Sequence, residues 1–328
     1  LTGKPMFRCL SETYFKMLSF DATTLASYGN LPGEDAIRLL GSGSYNVAIG
    51  DSALYSYTTN SYMNTAIGHA ALFATNGGGA NTAVGSYAMV ANTSGFNNTA
   101  VGNASLQYSQ TMVNNTAIGN GAMQYGKLVT STTAIGAEVL QNDSAGDMNT
   151  AVGWRAMRNT KWAYEDVAVG VGAMENSPTT RYSTAVGRFA LQQIKTDYNT
   201  ALGFVAGLYA DSSIGATYLG AYAGYYNEAN YNTWVGYQAG VGNASPFKIT
   251  GDENTGVGGF TQFFANTARS NTSLGYGAFY WSNSGHNNVA VGVRALHGLN
   301  VSSGSYNIAI GDSAGFSITN GNRNIAIG

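Results

Sequence analysis

The chain has 328 residues, a formal net charge of −2, 10% charged and 44% apolar residues, 44 glycines and a single cysteine. The charge balance excludes the basic excess suited to nucleic acid or an anionic membrane, while the apolar content and the irregular glycine spacing exclude disorder and collagen. Cys9 alone allows no intrachain disulfide, no metal-ligand spacing is present, and no apolar run reaches the ~18–20 residues of a membrane helix.

Residues 1–45 stand apart from the rest. Phe7, Leu10, Tyr14, Met17 and Leu18 are spaced for one face of a short helix, with Ser11 near its start. Gly29-Asn30-Leu31-Pro32-Gly33 reads as a turn that stops it, and Ala36, Ile37, Leu39 and Leu40 form a second small apolar group. These features predict a partly helical N-terminal cap or joint over the open end of a repeat domain. The chain starts at Leu1 rather than Met and ends on a completed repeat, so a segment of a longer protein is expected.

From residue 46 to 328 one phrase recurs, Asn-Thr-Ala-Ile/Val-Gly, as at Asn64 to Gly68 and Asn81 to Gly85. Its seventeen closing glycines run from Gly50 to Gly328, mostly 17 residues apart, with extremes of 16 and 22. A fixed period over so many copies means a repeat architecture. Counting back from the glycine, the first position is Ile, Val or Leu in every copy and the third is always β-branched. The second is Ala and the fourth Asn in thirteen copies each. This alternation predicts a short β-strand, closed by a glycine that turns the corner. Ala follows at plus three and Leu or Met at plus four in most copies, as in Ala88-Met89.

A 17-residue coil holds two short strands and two turns. The expected fold class is therefore all-β, a parallel β-solenoid (β-roll) of about 17 coils, ~4.8 Å apart and roughly 75–80 Å long. Asn64, Asn81, Asn98 and Asn115 are expected to stack into a hydrogen-bonded ladder. The Ile/Val column is expected to fill the roll. Ala66, Ala83, Ala100 and Ala117 then face outward, where a strip of small residues suits close packing of three identical chains into a homotrimer.

The phrase resembles the head repeats of YadA-like trimeric autotransporter adhesins, and also the longer-period Asn-Thr-Ala-Ile-Gly repeats of phage tail fibre and receptor-binding proteins. The resemblance covers residues 46–328 and implies a left-handed parallel β-roll trimer. The 17-residue period, the Tyr-rich variable segments and the lack of heptads favour the phage-type fibre over the shorter-period bacterial heads.

Chemistry is sparse in the sequence. His69, His286 and His297 do not cluster and read as surface residues; carboxylates are scattered, as at Glu138, Asp143, Glu165, Asp166 and Glu228. Asp166 occupies the Asn column and reads as a ladder substitute. Asp252-Glu253 reads as a solvated turn. No catalytic residue, cofactor site or metal site is expected, and no carboxylate pair suits glycan cleavage.

Recognition is the remaining expectation. Aromatics recur five or six residues after the glycine, which predicts a stripe along the rod with flat faces for sugars. Candidate receptor contacts are Trp162, Tyr164, Tyr225, Tyr226, Phe247, Tyr280 and Trp281. Over 204–275 the phrase breaks: Tyr218, Trp234, Gly256 and Ser273 replace Ala, while Gly207, Gly224 and Gly240 replace Leu. Bulk is expected to shift across the coil, with a change of width or twist and a loop protruding near Pro246 and Phe247. The functional expectation is a non-catalytic virion fibre segment that binds a host cell-surface glycan or protein and joins further virion proteins. The alternatives are a bacterial trimeric surface adhesin head and a glycan depolymerase tailspike. Neither nucleic acid nor membrane insertion is expected.

Overall fold

Every copy of the phrase folds into one three-residue strand, from Val47–Ile49 to Ile325–Ile327. Seventeen such strands pair in parallel, in chain order, as one sheet. The computed structural model describes residues 45–56, 61–242, 248–281, 283–298 and 303–328; the expected cap (Tyr45 apart) and the loop at Phe247 lie outside these residues. The chain is an all-β parallel solenoid of about 17-residue coils, with no helix among the described residues. Register is strict: Thr82 pairs with Thr99, Ala83 with Ala100 and Val84 with Val101.

The second strand expected in each coil is mostly a single bridge residue. Tyr62, Gly79, Phe96, Val113, Thr130, Asp147 and Tyr164 form a parallel series of such bridges. Among the described residues it widens to full strands at Trp162–Tyr164 and Thr179–Arg181 alone, which pair with each other. Turns take up the rest of the coil, and their corners are left-handed. In one coil Ala80, Tyr87 and Met89 have φ of 53°, 58° and 52°, and the same three positions repeat along the rod.

A left-handed non-glycine residue costs ~1–2 kcal/mol. Two gains offset it. The corner amides bond to the neighbouring coil, as Tyr87 N–H does to His69 C=O (2.8 Å) and Met89 N–H to Ser105 C=O (3.0 Å). The Leu or Met at the third corner, such as Met89, Leu106 and Met123, is fully buried, worth ~1.5–3 kcal/mol each. The phrase glycine has no substitute. A Cβ on Gly119 would lie 2.2 Å from the carbonyl oxygen of Gly136 one coil on, and its φ is +137°.

The faces of the strand are the reverse of the expectation. Ala66, Ala83, Ala100 and Ala117 are wholly buried inside their own chain, so that column offers no surface to a sister chain. The flanking Thr and Ile/Val point outward instead, with Ile118 and Ile135 each 38% exposed. The reason is width. Two walls of a 17-residue coil lie so close that only Ala fits opposite the Leu/Met row, and Asn beside it must find its partners indoors.

It finds them in the ladder. Asn81 Nδ2 donates to Asn64 Oδ1 (3.1 Å) and to Gly95 C=O (2.7 Å), while its backbone N–H donates to the same Oδ1 (3.0 Å). Asn98 and Asn115 repeat the pattern. Each rung satisfies buried polar groups that would otherwise cost ~1–3 kcal/mol apiece.

Between 204 and 275 the interior is rebuilt while the sheet runs on. Tyr218 and Trp234 point inward and are completely buried. They occupy the space that Leu fills elsewhere: a Cβ on Gly224 would lie 2.2 Å from the Tyr218 ring, and one on Gly240 2.2 Å from Trp234. The expected transfer of bulk is therefore present. The sheet nevertheless stays in register, Ala201 pairing with Tyr218, Tyr218 with Trp234 and Trp234 with Gly256. Strand pairing is continuous through these coils, because glycine on the facing wall makes room for the rings.

Candidate functional site

The outward positions carry whatever the phrase leaves free, and they differ from coil to coil. Ring stacking begins in the first coils, where Tyr55 and Phe73 lie parallel at 5.0 Å. Through the middle coils the same position is polar. Gln124 Nε2 donates to Gln107 Oε1 (2.7 Å), Gln141 Nε2 to Gln124 Oε1 (2.9 Å) and Arg158 Nε to Gln141 Oε1 (3.0 Å), a second ladder absent from the expectations. Its signal in the sequence is the recurrence of Gln at one column, masked by the aromatics of the neighbouring column.

Beyond Gly203 the rings return and become continuous. Phe263, Tyr280, His297 and Phe316 stack in one column at 5.0–5.2 Å, nearly parallel. His297 is thus part of the aromatic column, half-buried between two rings. Phe264 stacks on Trp281 at 4.4 Å, and Tyr209 on Tyr226 at 4.9 Å. Tyr222 and Phe260 bridge the groups through Tyr237, so that Tyr225, Tyr226, Tyr280 and Trp281 belong to one network of touching rings. Partial burial beside neighbouring phenols pushes the Tyr225 hydroxyl up to about 12. It stays protonated, in a hydrogen bond with Tyr209.

Trp162 and Tyr164 lie elsewhere, on the short strand with Ala163 buried between them. Alternation turns both rings outward. They line an open groove of ≈ 730 Å³ that continues over Thr179, Arg181, Lys195, Asp197, Tyr198 and Ile214. Trp162 is 56% exposed, and the Arg181 guanidinium sits 6.0 Å from the Tyr164 ring centre. Tyr198 stacks on Tyr182 at 5.2 Å. Lys195 Nζ pairs with Asp211 Oδ2 at 3.1 Å. A second groove of ≈ 560 Å³, lined by the parallel Tyr108 and Tyr125 rings, Lys127 and Leu128, lies on the preceding coils. The candidate residues therefore fall on two surfaces, the groove and the ring network, with Phe247 outside the described residues.

The carboxylates separate by burial. Asp166 takes the ladder position: its Oδ1 accepts from Ser183 N–H (2.7 Å) and its Oδ2 from the Thr180 hydroxyl (2.6 Å). Burial raises its pKa to about 6. Asp143 is fully buried, accepts from Gly146 N–H (3.0 Å) through Oδ1, and leaves Oδ2 without a partner. Burial raises it to about 7. Its interior place is legible, because Thr75, Asn92, Ser109 and Thr160 hold the same column as buried polar caps. Among the described residues no three or more His, Cys, Asp or Glu side chains gather as a metal site. No family model, no curated protein and no solved structure matches the chain.

Proposed function

We propose that this chain is a segment of a virion fibre, a homotrimer that contributes to host-surface binding without catalysis. The observation that carries the reading is the unbroken in-register sheet with an apolar outer face. Ile118, Ile135, Leu202, Leu219 and Ile310 are each 38–48% exposed in one column, and the Thr column, with Val47 in it, runs beside them. Apolar strips of this extent mark interfaces. Three copies meeting along it would form a rigid rod, with the ring network and the grooves at corners away from the axis. The axis lined by Ile/Val replaces the Ala-lined one expected from the sequence. Asp143 and Asp166 are buried, so neither can flank a sugar in solvent as one of a cleaving pair.

The repeat phrase is shared with bacterial adhesin heads, and a bacterial cell surface is the second reading. Sedimentation of the full chain tests assembly: three times the 34.2 kDa chain mass is expected, falling to one chain for Ile118→Lys with Ile135→Lys. A folded wild-type monomer overturns it. Antibodies to the chain are expected to label virion fibres; labelling of intact bacteria instead selects the second reading.

A further inference from the structure

We propose that the groove over Trp162, Tyr164, Thr179, Arg181, Asp197 and Tyr198 binds a neutral oligosaccharide lying along the rod. This inference rests on the host-binding reading and names the ligand class and the place. The groove runs from Ala145 to Ile214, positions that are four coil steps apart, ~19 Å at ~4.8 Å each. An extended chain of rings fits this length.

Its chemistry is mixed in the way a sugar is mixed. Trp162 presents an exposed flat apolar face, suited to the axial C–H face of a pyranose. Thr179, Arg181 and Asp197 follow on the next two coils with a hydroxyl, a guanidinium and a carboxylate, matching a ring of hydroxyls that both donate and accept. Charge selects against an acidic ligand. Lys195 is held by Asp211, and Arg181 is offset by Asp197 in the same groove. A peptide added as an extra strand has no edge to join, because the backbone here already bonds to adjacent coils: Lys161 N–H to Pro178 C=O (3.0 Å) and Lys195 N–H to Asp211 C=O (3.1 Å).

The groove is built where the second strand is fullest. Trp162–Tyr164 and Thr179–Arg181 are the coils in which this side is a paired strand rather than a single bridge. Pairing fixes the backbone that carries both rings, a pre-organisation that a weak, shallow sugar site needs. The groove side is also separated from the Thr/Ile strip by the left-handed corner at Glu165 and Tyr182 and by the ladder residues Asp166 and Ser183. Assembly along the strip leaves it open.

The test presents the full chain to a printed array of neutral and acidic oligosaccharides, with Trp162→Ala, Thr179→Trp and the distant exposed Trp154→Ala. Wild type and Trp154→Ala are expected to be retained on neutral glycans. Trp162→Ala and Thr179→Trp, both at exposed positions, are expected to lose about tenfold or more in affinity with unchanged circular dichroism and melting. Retention on no neutral glycan, retention on acidic glycans only, or full retention by both groove variants each overturns the proposal. Cell adhesion separates the two levels. Bacteria bound equally by wild type and Trp162→Ala leave host binding standing and remove this groove. Glycan binding lost on Trp162→Ala, with no label on virions or cells, keeps the groove and removes the host-binding reading.

Discussion

The coils before Gly203 and those of Tyr218 and Trp234 share one backbone and hold it together with opposite interiors. In the first group Ala lines the strand wall and Leu or Met fills from the turn wall, as Ala100 and Leu106 do. In the second a ring comes from the strand wall and glycine faces it, as Trp234 and Gly240 do. The lesson is that the constant quantity along this chain is interior volume per coil, not the residue at either wall. The ladder adapts as well. Ala216 interrupts it, and the Tyr218 hydroxyl, donating to Ser213 Oγ (2.9 Å) and accepting from Asn227 Nδ2 (2.8 Å), supplies polar contacts nearby.

The comparison is broken most severely at Trp234. Trp234→Ala is expected to cost ~3–5 kcal/mol by leaving a cavity opposite glycine. Gly240→Leu alone is expected to cost several kcal/mol by collision, since even its Cβ would lie 2.2 Å from the indole. The double change Trp234→Ala with Gly240→Leu writes the regular pattern into this coil. It is expected to recover at least about half of the loss of Trp234→Ala, read as non-additivity in thermal or denaturant unfolding. Additive losses would sink the volume argument.

A smaller effect is expected in the regular group. Asn98→Ala removes the acceptor for Asn115 N–H and Nδ2 and the donor to Met112 C=O. A loss of ~2–4 kcal/mol is expected, visible as early amide exchange at Asn115 and its neighbours. Unchanged stability and unchanged exchange in Asn98→Ala would sink the ladder's contribution.

The smallest expected effect depends on pH. Folded-state values near 7 for Asp143 and near 6 for Asp166 lie above the ordinary 3.8, so folding favours the protonated forms. Their contribution is therefore complete below pH 3.8 and is lost as pH rises through about 6 and 7. Asp143→Asn removes the buried charge, worth ~1.4 kcal/mol for every tenfold change in the proton affinity of the carboxylate. The gain is offset by an amide nitrogen left unpaired, as it is in Asn92 at the same column. A net gain of about 1–2 kcal/mol at pH 8 and none at pH 4 is expected from melting curves. A gain at pH 4 equal to that at pH 8 would refute the buried-charge explanation.

The period, the short strand, the Asn ladder and the swap of bulk near Tyr218 could all be read from the residues, because each leaves a column. The side the strand turns inward could not. Thr-Ala-Ile alternates perfectly in either sense, and hydrophobicity alone places Ile inside. What decides is the distance between walls, a property of the closed coil that no single column reports. The candidate contacts divide similarly. Tyr280 and Trp281 could be read as a stripe from their spacing, whereas the groove at Trp162 depends on Arg181 and Tyr198 from other coils at unrelated positions in the variable segments. Its polar members carried no motif of their own.

The left-handed corners have a kinetic consequence. A lone coil carries three costly corner residues, such as Ala80, Tyr87 and Met89, whose amides are satisfied only by another coil. The first pair of coils is therefore the expensive nucleus, and each later one copies an existing template across a gap of about one period whatever the chain length. Growth of this kind makes the rod a gauge. Removing one whole period between equivalent glycines, for instance from Asn103 to Gly119, would delete a single rung and join Gly102 to Asn120 at matching positions. The solenoid would shorten by ~4.8 Å and keep every remaining contact in register.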